Sequence, residues 1–207
     1  LVFDQGARVI VCPELCLTGY SCADLFYLPA LRDAALGGLC DLAEATAEWQ
    51  AVLIVGLPLE VQDRLYNVAA VIAGGEILGI VPKTHLTNSG EFYERRWFSP
   101  ASTAMQDTVM VRGVEVPFGT DLIFESLDIK GLRIGVEICE DLWSVIPPSS
   151  PAALAGATVL VNLSASNELL GKAPYRRALV SQQSARCLSA YVYAGAGAGE
   201  SSTDLVF

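Results

Sequence analysis

The chain has 207 residues, 52% of them hydrophobic and 17% charged, which excludes a disordered polymer and points to one domain with a deeply buried sheet. A formal net charge of -10 argues against nucleic acid or an anionic membrane surface as the main partner. No apolar run approaches the ~18 residues of a membrane span and no signal-peptide pattern is read; six cysteines without a C-x-x-C pair, beside one histidine, argue against a zinc site.

In chain order, "ARVIVCPEL" (7–15) is a buried strand by composition, ended by Pro13. "PALRDAALGGLCDLAEATAEW" (29–49) has apolar residues at helical spacing, with Pro29 suited to the first turn. "AVLIVGLP" (51–58) is a strand, and 65–86 reads as two strands about a tight Gly74-Gly75 turn. Two further strand pairs turn at Arg112-Gly113 and Lys130-Gly131. "SSPAALAGA" (149–157) is a short helix with a serine cap and a proline at its first position. "TVLVNLSAS" (158–166) is a strand, 173–191 a helix and "YVYAGAGAG" (191–199) a strand. Leu1 stands inside an apolar stretch, and "STDLVF" at the end reads as a strand with nothing after it. The expectation is therefore a piece of a longer protein. The order of elements implies an α/β fold, a mixed sheet with helices on one face. The other face also needs cover, and a second copy of the same sheet would complete a four-layer sandwich.

Three polar residues stand just past apolar runs: Glu14 after "VIVCP", Lys83 after "ILGIVP" and Cys139 after "IGVEI". Side chains at the ends of neighbouring strands can converge on one pocket. These residue types suit acyl transfer. A thiol becomes competent beside a base, a glutamate can take its proton and return it to a leaving amine, and a lysine can stabilise an oxyanion. None of this requires a metal or an organic cofactor. Each residue alone is as consistent with a solvated loop or a packed core. His85 also invites a Cys–His pair, and its place two residues past Lys83 favours a structural role. Cys12, Cys16 and Cys22 read as packing residues around Glu14, and Trp143 as a wall. Gly195, Gly197 and Gly199 are not read as a phosphate loop, because no helix pattern follows them.

Whole strings narrow the choice. "CPELCLTGY" (12–20), "GIVPKTHL" (79–86) and "GVEICEDLW" (135–143) resemble, in order, the glutamate, lysine and cysteine motifs of the nitrilase, or carbon–nitrogen hydrolase, superfamily. "EFYERRWF" (91–98), "VPFGTDLIF" (116–124), "NLSASNE" (162–168) and "AGAGESSTDLVF" (196–207) resemble its branch of glutaminase domains from glutamine-dependent NAD synthetases. The resemblance implies an α-β-β-α sandwich over 1–207, extended to α-β-β-α-α-β-β-α by dimerisation. It implies hydrolysis of L-glutamine, with ammonia passed to a C-terminal synthetase domain that uses ATP and Mg2+. The domain itself would need no cofactor, and a cytoplasmic homo-oligomer is expected.

Carried over residue by residue, the resemblance makes Cys139 the nucleophile, Glu14 the general base and Lys83 the oxyanion stabiliser. Glu94 would orient the lysine or the substrate. The acids after the cysteine would bind rather than react. Glu140 and Ser166 match positions that hold the glutamine α-amino end, and Lys172, on the loop before the 173–191 helix, would hold the α-carboxylate. Tyr20 and Ser89 complete the expected substrate wall. The stretch "LTNSGEFYE" departs from the Leu-Pro-Asn-Tyr common in relatives: Thr87 replaces the proline, and Ser89 replaces a tyrosine that contacts substrate. Two other readings are a stand-alone amidase or carbamoylase and a silent scaffold of the same fold.

Overall fold

The computed structural model describes residues 5–202 and 204–207. Leu1 and Thr203, which belong to the two terminal stretches expected above, lie outside the described residues. The first sheet is built from β1 (Val9–Val11), β2 (Val52–Val61), β3 (Arg64–Ala73) and β4 (Glu76–Pro82), in that order. β1 and β2 are parallel, and the other pairs are antiparallel. The second sheet runs β10 (Ala190–Gly195), β9 (Val159–Ser164), β8 (Arg133–Ile138), β7 (Ile123–Glu125), parallel except for β7. α1 (Pro29–Ala45) covers the outside of the first sheet, joined by the hairpin of β5 (Thr108–Val111) and β6 (Val114–Pro117). α2 (Ser149–Leu154) and α3 (Lys172–Cys187) lie against the second. The layers are α-β-β-α, and the second sheet comes from the chain's own second half.

Period-two alternation places the core. Along β3, Val68, Ala70 and Ile72 face α1, whereas Ala69 and Val71 face the other sheet. The inter-sheet core joins Ile54, Ala69, Val71 and Val81 to Ile134, Val136, Ile138, Val161 and Leu163. Each of the valine, leucine and isoleucine side chains contributes ~1.5–3 kcal/mol by leaving water. β1, β2 and β4 run in one direction, so β1 and β4 end at the same edge, which places Glu14 and Lys83 together.

Several boundaries differ from the sequence reading; α3 ends at Cys187 rather than at 191, and β10 ends at Gly195 rather than at 199. α1 stops at Ala45, short of Trp49, where the Thr46 hydroxyl bonds back to the Leu42 carbonyl at 2.7 Å. The serine cap of α2 is not formed: Ser149 is the first helical residue, and its N–H donates to Glu137 Oε2 at 2.7 Å. A carboxylate from β8 thus satisfies an orphan N–H of the helix start. Asp204–Phe207 form no strand; Leu205 instead packs in a cluster with Tyr20, Phe26 and Phe98.

Candidate active site

β8 is extended through Ile138 (φ -127°, ψ 116°), and the chain then turns sharply at Cys139, whose φ is +46°. Such a backbone costs a β-carbon-bearing residue ~1–3 kcal/mol and persists where its surroundings hold it. Here Cys139 N–H donates to Asn162 Oδ1 at 3.0 Å, and Ile138 N–H donates to Asp141 Oδ2 at 2.9 Å. A second elbow follows Glu14, where Leu15 has φ +52°. That elbow lies on β2 so closely that a β-carbon on Gly56 would meet Leu15 N at 2.3 Å, so only glycine fits there.

Glu14, Lys83 and Glu94 meet in a sealed cluster, exposed 0%, 1% and 0%. Lys83 Nζ donates to Glu14 Oε1 and to Glu94 Oε1, each at 2.7 Å. An ammonium has three donors, so one N–H of Lys83 is left over among the described residues. Glu14 also accepts from Asn67 Nδ2 at 2.7 Å and from Ala165 N–H at 2.9 Å. Three donors on about four lone-pair sites leave one site of the Glu14 carboxylate for another proton. Glu94 is held by the Tyr20 hydroxyl at 2.6 Å and by Thr87 N–H at 3.3 Å.

Burial alone would lower the Lys83 pKa, but Glu14 and Glu94 overrule it and hold the ammonium well above the ordinary lysine range. Burial pushes the Cys139 thiol up; Glu14 adds to this and Lys83 opposes it. The resting group is therefore a thiol, which needs a base at the moment of attack. Burial also raises the Glu94 carboxyl, against the pull of Lys83.

The acids around Cys139 have three different surroundings. Glu137 faces α2, takes the Ser149 N–H and accepts from the Tyr191 hydroxyl. Glu140 lines a pocket and accepts from Thr87 Oγ1 at 3.3 Å. Asp141, expected to bind substrate with Glu140, does not line that pocket. It is 1% exposed, and burial pushes its carboxyl up to about 7 against three backbone N–H donors.

The pocket has a volume of about 280 Å³, with Cys139 in its wall. Glu140, Ser166, Ser89 and Lys172 also line it, as expected for substrate contacts, together with Glu91 and Asn167. Lys172 is the first residue of α3 rather than part of the preceding loop. Its ammonium donates to Asn167 Oδ1 and lies 5.6 Å from the Trp143 ring, with its pKa lowered by burial. Trp143 is a pocket wall stacked on Tyr175. Tyr20 departs from the expected set. It lies behind the cluster on Glu94 and lines a neighbouring cavity of about 200 Å³ with Ser21 and Trp97. The turn after Leu15 carries it beneath the 91–94 stretch instead of into the Cys139 pocket. His85 contributes its backbone N–H to Asp141 at 2.7 Å. All six cysteines are free thiols, and Cys16 Sγ lies 3.7 Å from the Gly56 carbonyl beside the Glu14 elbow.

Asn67 and Asn162 were not singled out from the sequence. They did carry a signal, as lone amides inside "LYNVAAV" and "VLVNLSAS". A buried amide in an apolar strand needs a partner, and such partners gather where polar chemistry is done. Among the described residues no cluster of three or more His, Cys, Asp or Glu side chains can hold a metal, and no helix is long and apolar enough to cross a membrane.

A model of the carbon–nitrogen hydrolase family matches residues 1–207. The chain is 50% identical over 204 residues to the glutamine-dependent NAD(+) synthetase of Mycobacterium tuberculosis H37Rv, covering 99% of this chain and 30% of that protein. It is 32% identical over 181 residues to the enzyme of the same name from Thermotoga maritima, covering 87% of this chain and 28% of that one. The chain thus spans about 30% of the length of the curated relatives it matches. Among solved structures, a glutamine-dependent NAD(+) synthetase from Cytophaga hutchinsonii superposes with a TM-score of 0.81 at 32% identity, over 93% of this chain and 30% of that one. An amidase from Nesterenkonia sp. AN1 shares the fold, with a TM-score of 0.74 at 20% identity over 99% of this chain and 70% of that one.

Proposed function

The chain belongs to the carbon–nitrogen hydrolase family, and on that premise we propose that it is a glutaminase, cleaving the side-chain amide of L-glutamine to glutamate and ammonia. One observation carries the reading: a thiol on a strained elbow opens to a pocket beside a sealed Glu14–Lys83–Glu94 cluster with one acceptor site and one donor to spare. Glu14 takes the Cys139 proton as sulfur attacks the amide carbon. The spare N–H of Lys83 stabilises the oxyanion, and Glu94 keeps the ammonium aimed. The carbon–nitrogen bond then breaks as Glu14 returns its proton to nitrogen, leaving a thioester and ammonia. Water, activated by Glu14, hydrolyses the thioester and regenerates the thiol. Glu140 and Ser166 hold the α-ammonium, and Lys172 the α-carboxylate.

The 50% identity to a glutamine-dependent synthetase supports glutamine over simple amides. In this reading the ammonia serves an NAD synthetase domain, where ATP and Mg2+ act. The setting is cytoplasmic. A second copy stacks on the helical layer to give α-β-β-α-α-β-β-α, supported by Leu154 and Leu188, each 92% exposed there. The test is ammonia release from glutamine against propionamide. Preference for glutamine is expected; cleavage of propionamide alone would favour a stand-alone amidase, and release from neither would remove the activity.

A further inference from the structure

Lys83 and Cys139 stand on different sheets, at the ends of β4 and β8. The sheets meet through aliphatic side chains such as Ile54, Val71, Ile138 and Val161. Apolar contact is non-directional, so it sets the spacing of the layers better than their register. The reaction proposed above needs the lysine and the thiol in one fixed relation, and a misplacement of ~1 Å can cost ~10²-fold in rate.

Asp141 spans this gap. Oδ1 accepts from Thr84 N–H at 3.1 Å and from His85 N–H at 2.7 Å, both on the loop that leaves Lys83. Oδ2 accepts from Ile138 N–H at 2.9 Å, on the residue before the elbow. Ala165 N–H does the same for Glu14, tying it to the end of β9 at 2.9 Å. A cap of the short 139–143 turn would need only the Ile138 bond; the bonds to Thr84 and His85 serve no capping purpose. Three converging N–H groups require both side-chain termini to accept, which the two oxygens of an aspartate can do and the NH₂ of an asparagine cannot.

We propose that Asp141 is a positioning residue: it ties the Lys83 loop to the Cys139 elbow across the sheet interface, and so fixes the oxyanion donor against the nucleophile. The proposal rests on the roles given above to Cys139 and Lys83, whichever amide they cleave. The test uses the whole chain with Asp141→Asn and Asp141→Glu. Steady-state hydrolysis of glutamine and of propionamide is measured alongside carboxamidomethylation of Cys139 by iodoacetamide, located by peptide mapping. Asn presents an N–H₂ to one of the backbone donors. We expect kcat to fall ~100-fold on whichever amide the wild type cleaves, with KM within ~3-fold. Iodoacetamide labelling should stay within ~3-fold of wild type, because that reaction needs the thiol and its base but not Lys83. Glu keeps the charge and moves the acceptor out by one methylene, so kcat should fall at least ~10-fold; this variant decides the matter if the Asn variant does not fold. An unchanged kcat in either folded variant would overturn the proposal, as would a loss that appears in KM alone. Wild-type cleavage of propionamide but not glutamine would defeat the glutamine reading and leave the Asp141 comparison intact on propionamide. Cleavage of neither would defeat both.

Discussion

The floor of the Cys139 pocket and its rim are built in different ways. Below and behind the thiol, Glu14, Lys83, Glu94 and Asp141 are each no more than 1% exposed, and each makes at least two hydrogen bonds. They stand at or just past strand ends, or are tied to them. The rim comes from two loops, 87–92 and 166–171, with Lys172 at the start of α3 and Glu140 and Trp143 from the 139–143 turn; Leu169 and Leu170 are exposed there. Rigid elements hold chemistry to the fraction of an ångström it requires, whereas loops can vary without loss of the fold. Substitutions in the floor should therefore act on kcat, and those in the rim on KM.

The largest expected effect belongs to the nucleophile. Cys139→Ala should lower ammonia release from glutamine by at least ~10⁴-fold. The thermal midpoint should hardly move, since the change removes one sulfur. Retention of more than a tenth of the activity would take Cys139 out of the chemistry.

Lys83 and His85 sharpen the contrast within one loop. Lys83→Met should lose ~2.7–4 kcal/mol of transition-state stabilisation, as expected for a missing oxyanion donor. It should also destabilise the fold, because Glu14 and Glu94 would then be buried without their cation. His85→Asn should change kcat by less than ~3-fold, because His85 gives Asp141 its backbone N–H and that bond survives. Equal losses in the two variants, with both folded, would return a Cys–His mechanism to consideration.

The cost of a buried floor can be read as pH dependence. Burial raises the Asp141 carboxyl to about 7, from an ordinary value near ~3.9. Between these values the folded state binds more protons than the unfolded state, so the Asp141 contribution to stability is full at low pH and is lost as pH rises through 7. Denaturant unfolding of wild type and Asp141→Asn from pH 5.5 to 7.5 should show the wild type losing roughly 2 kcal/mol relative to the variant. A gap that is constant with pH, or that widens in favour of wild type, would mean that Asp141 is ionised throughout.

The same contrast explains what was legible in the sequence. Glu14, Lys83 and Cys139 each follow an apolar run, and strand alternation carries them to one edge, so strings and period together located the floor. Alternation and element order alone suggested one mixed sheet; the two-sheet sandwich followed from the resemblance, and the second sheet is built by the chain's own second half. Contacts made across elements were not legible. The Glu137 carboxylate replaces the expected serine cap on α2, and Tyr20 bonds Glu94 from 74 positions away instead of lining the pocket. Asp141 sits beside Glu140 in sequence yet points the other way, because the left-handed turn at Cys139 rotates successive side chains between pocket and interior.

The smallest expected effect concerns the rim. The Lys172 ammonium donates to Asn167 Oδ1, and Asn167 donates in turn to Glu91, so the ammonium is already engaged within the rim. It also lies 5.9 Å from the Phe92 ring and 5.6 Å from Trp143, whose faces favour a cation. A substrate carboxylate would have to compete with these partners. Only the surplus over them appears as affinity, at the lower end of the ~1.5–3 kcal/mol of a charged hydrogen bond. Lys172→Ala should thus raise KM for glutamine ~10-fold while leaving kcat within ~3-fold. KM for propionamide, which has no carboxylate, should stay unchanged. A fall in kcat on both amides would place Lys172 with the floor and erase the division between the two regions. A rise in KM for both, with kcat held, would mean that the side chain shapes the pocket and does not read the carboxylate.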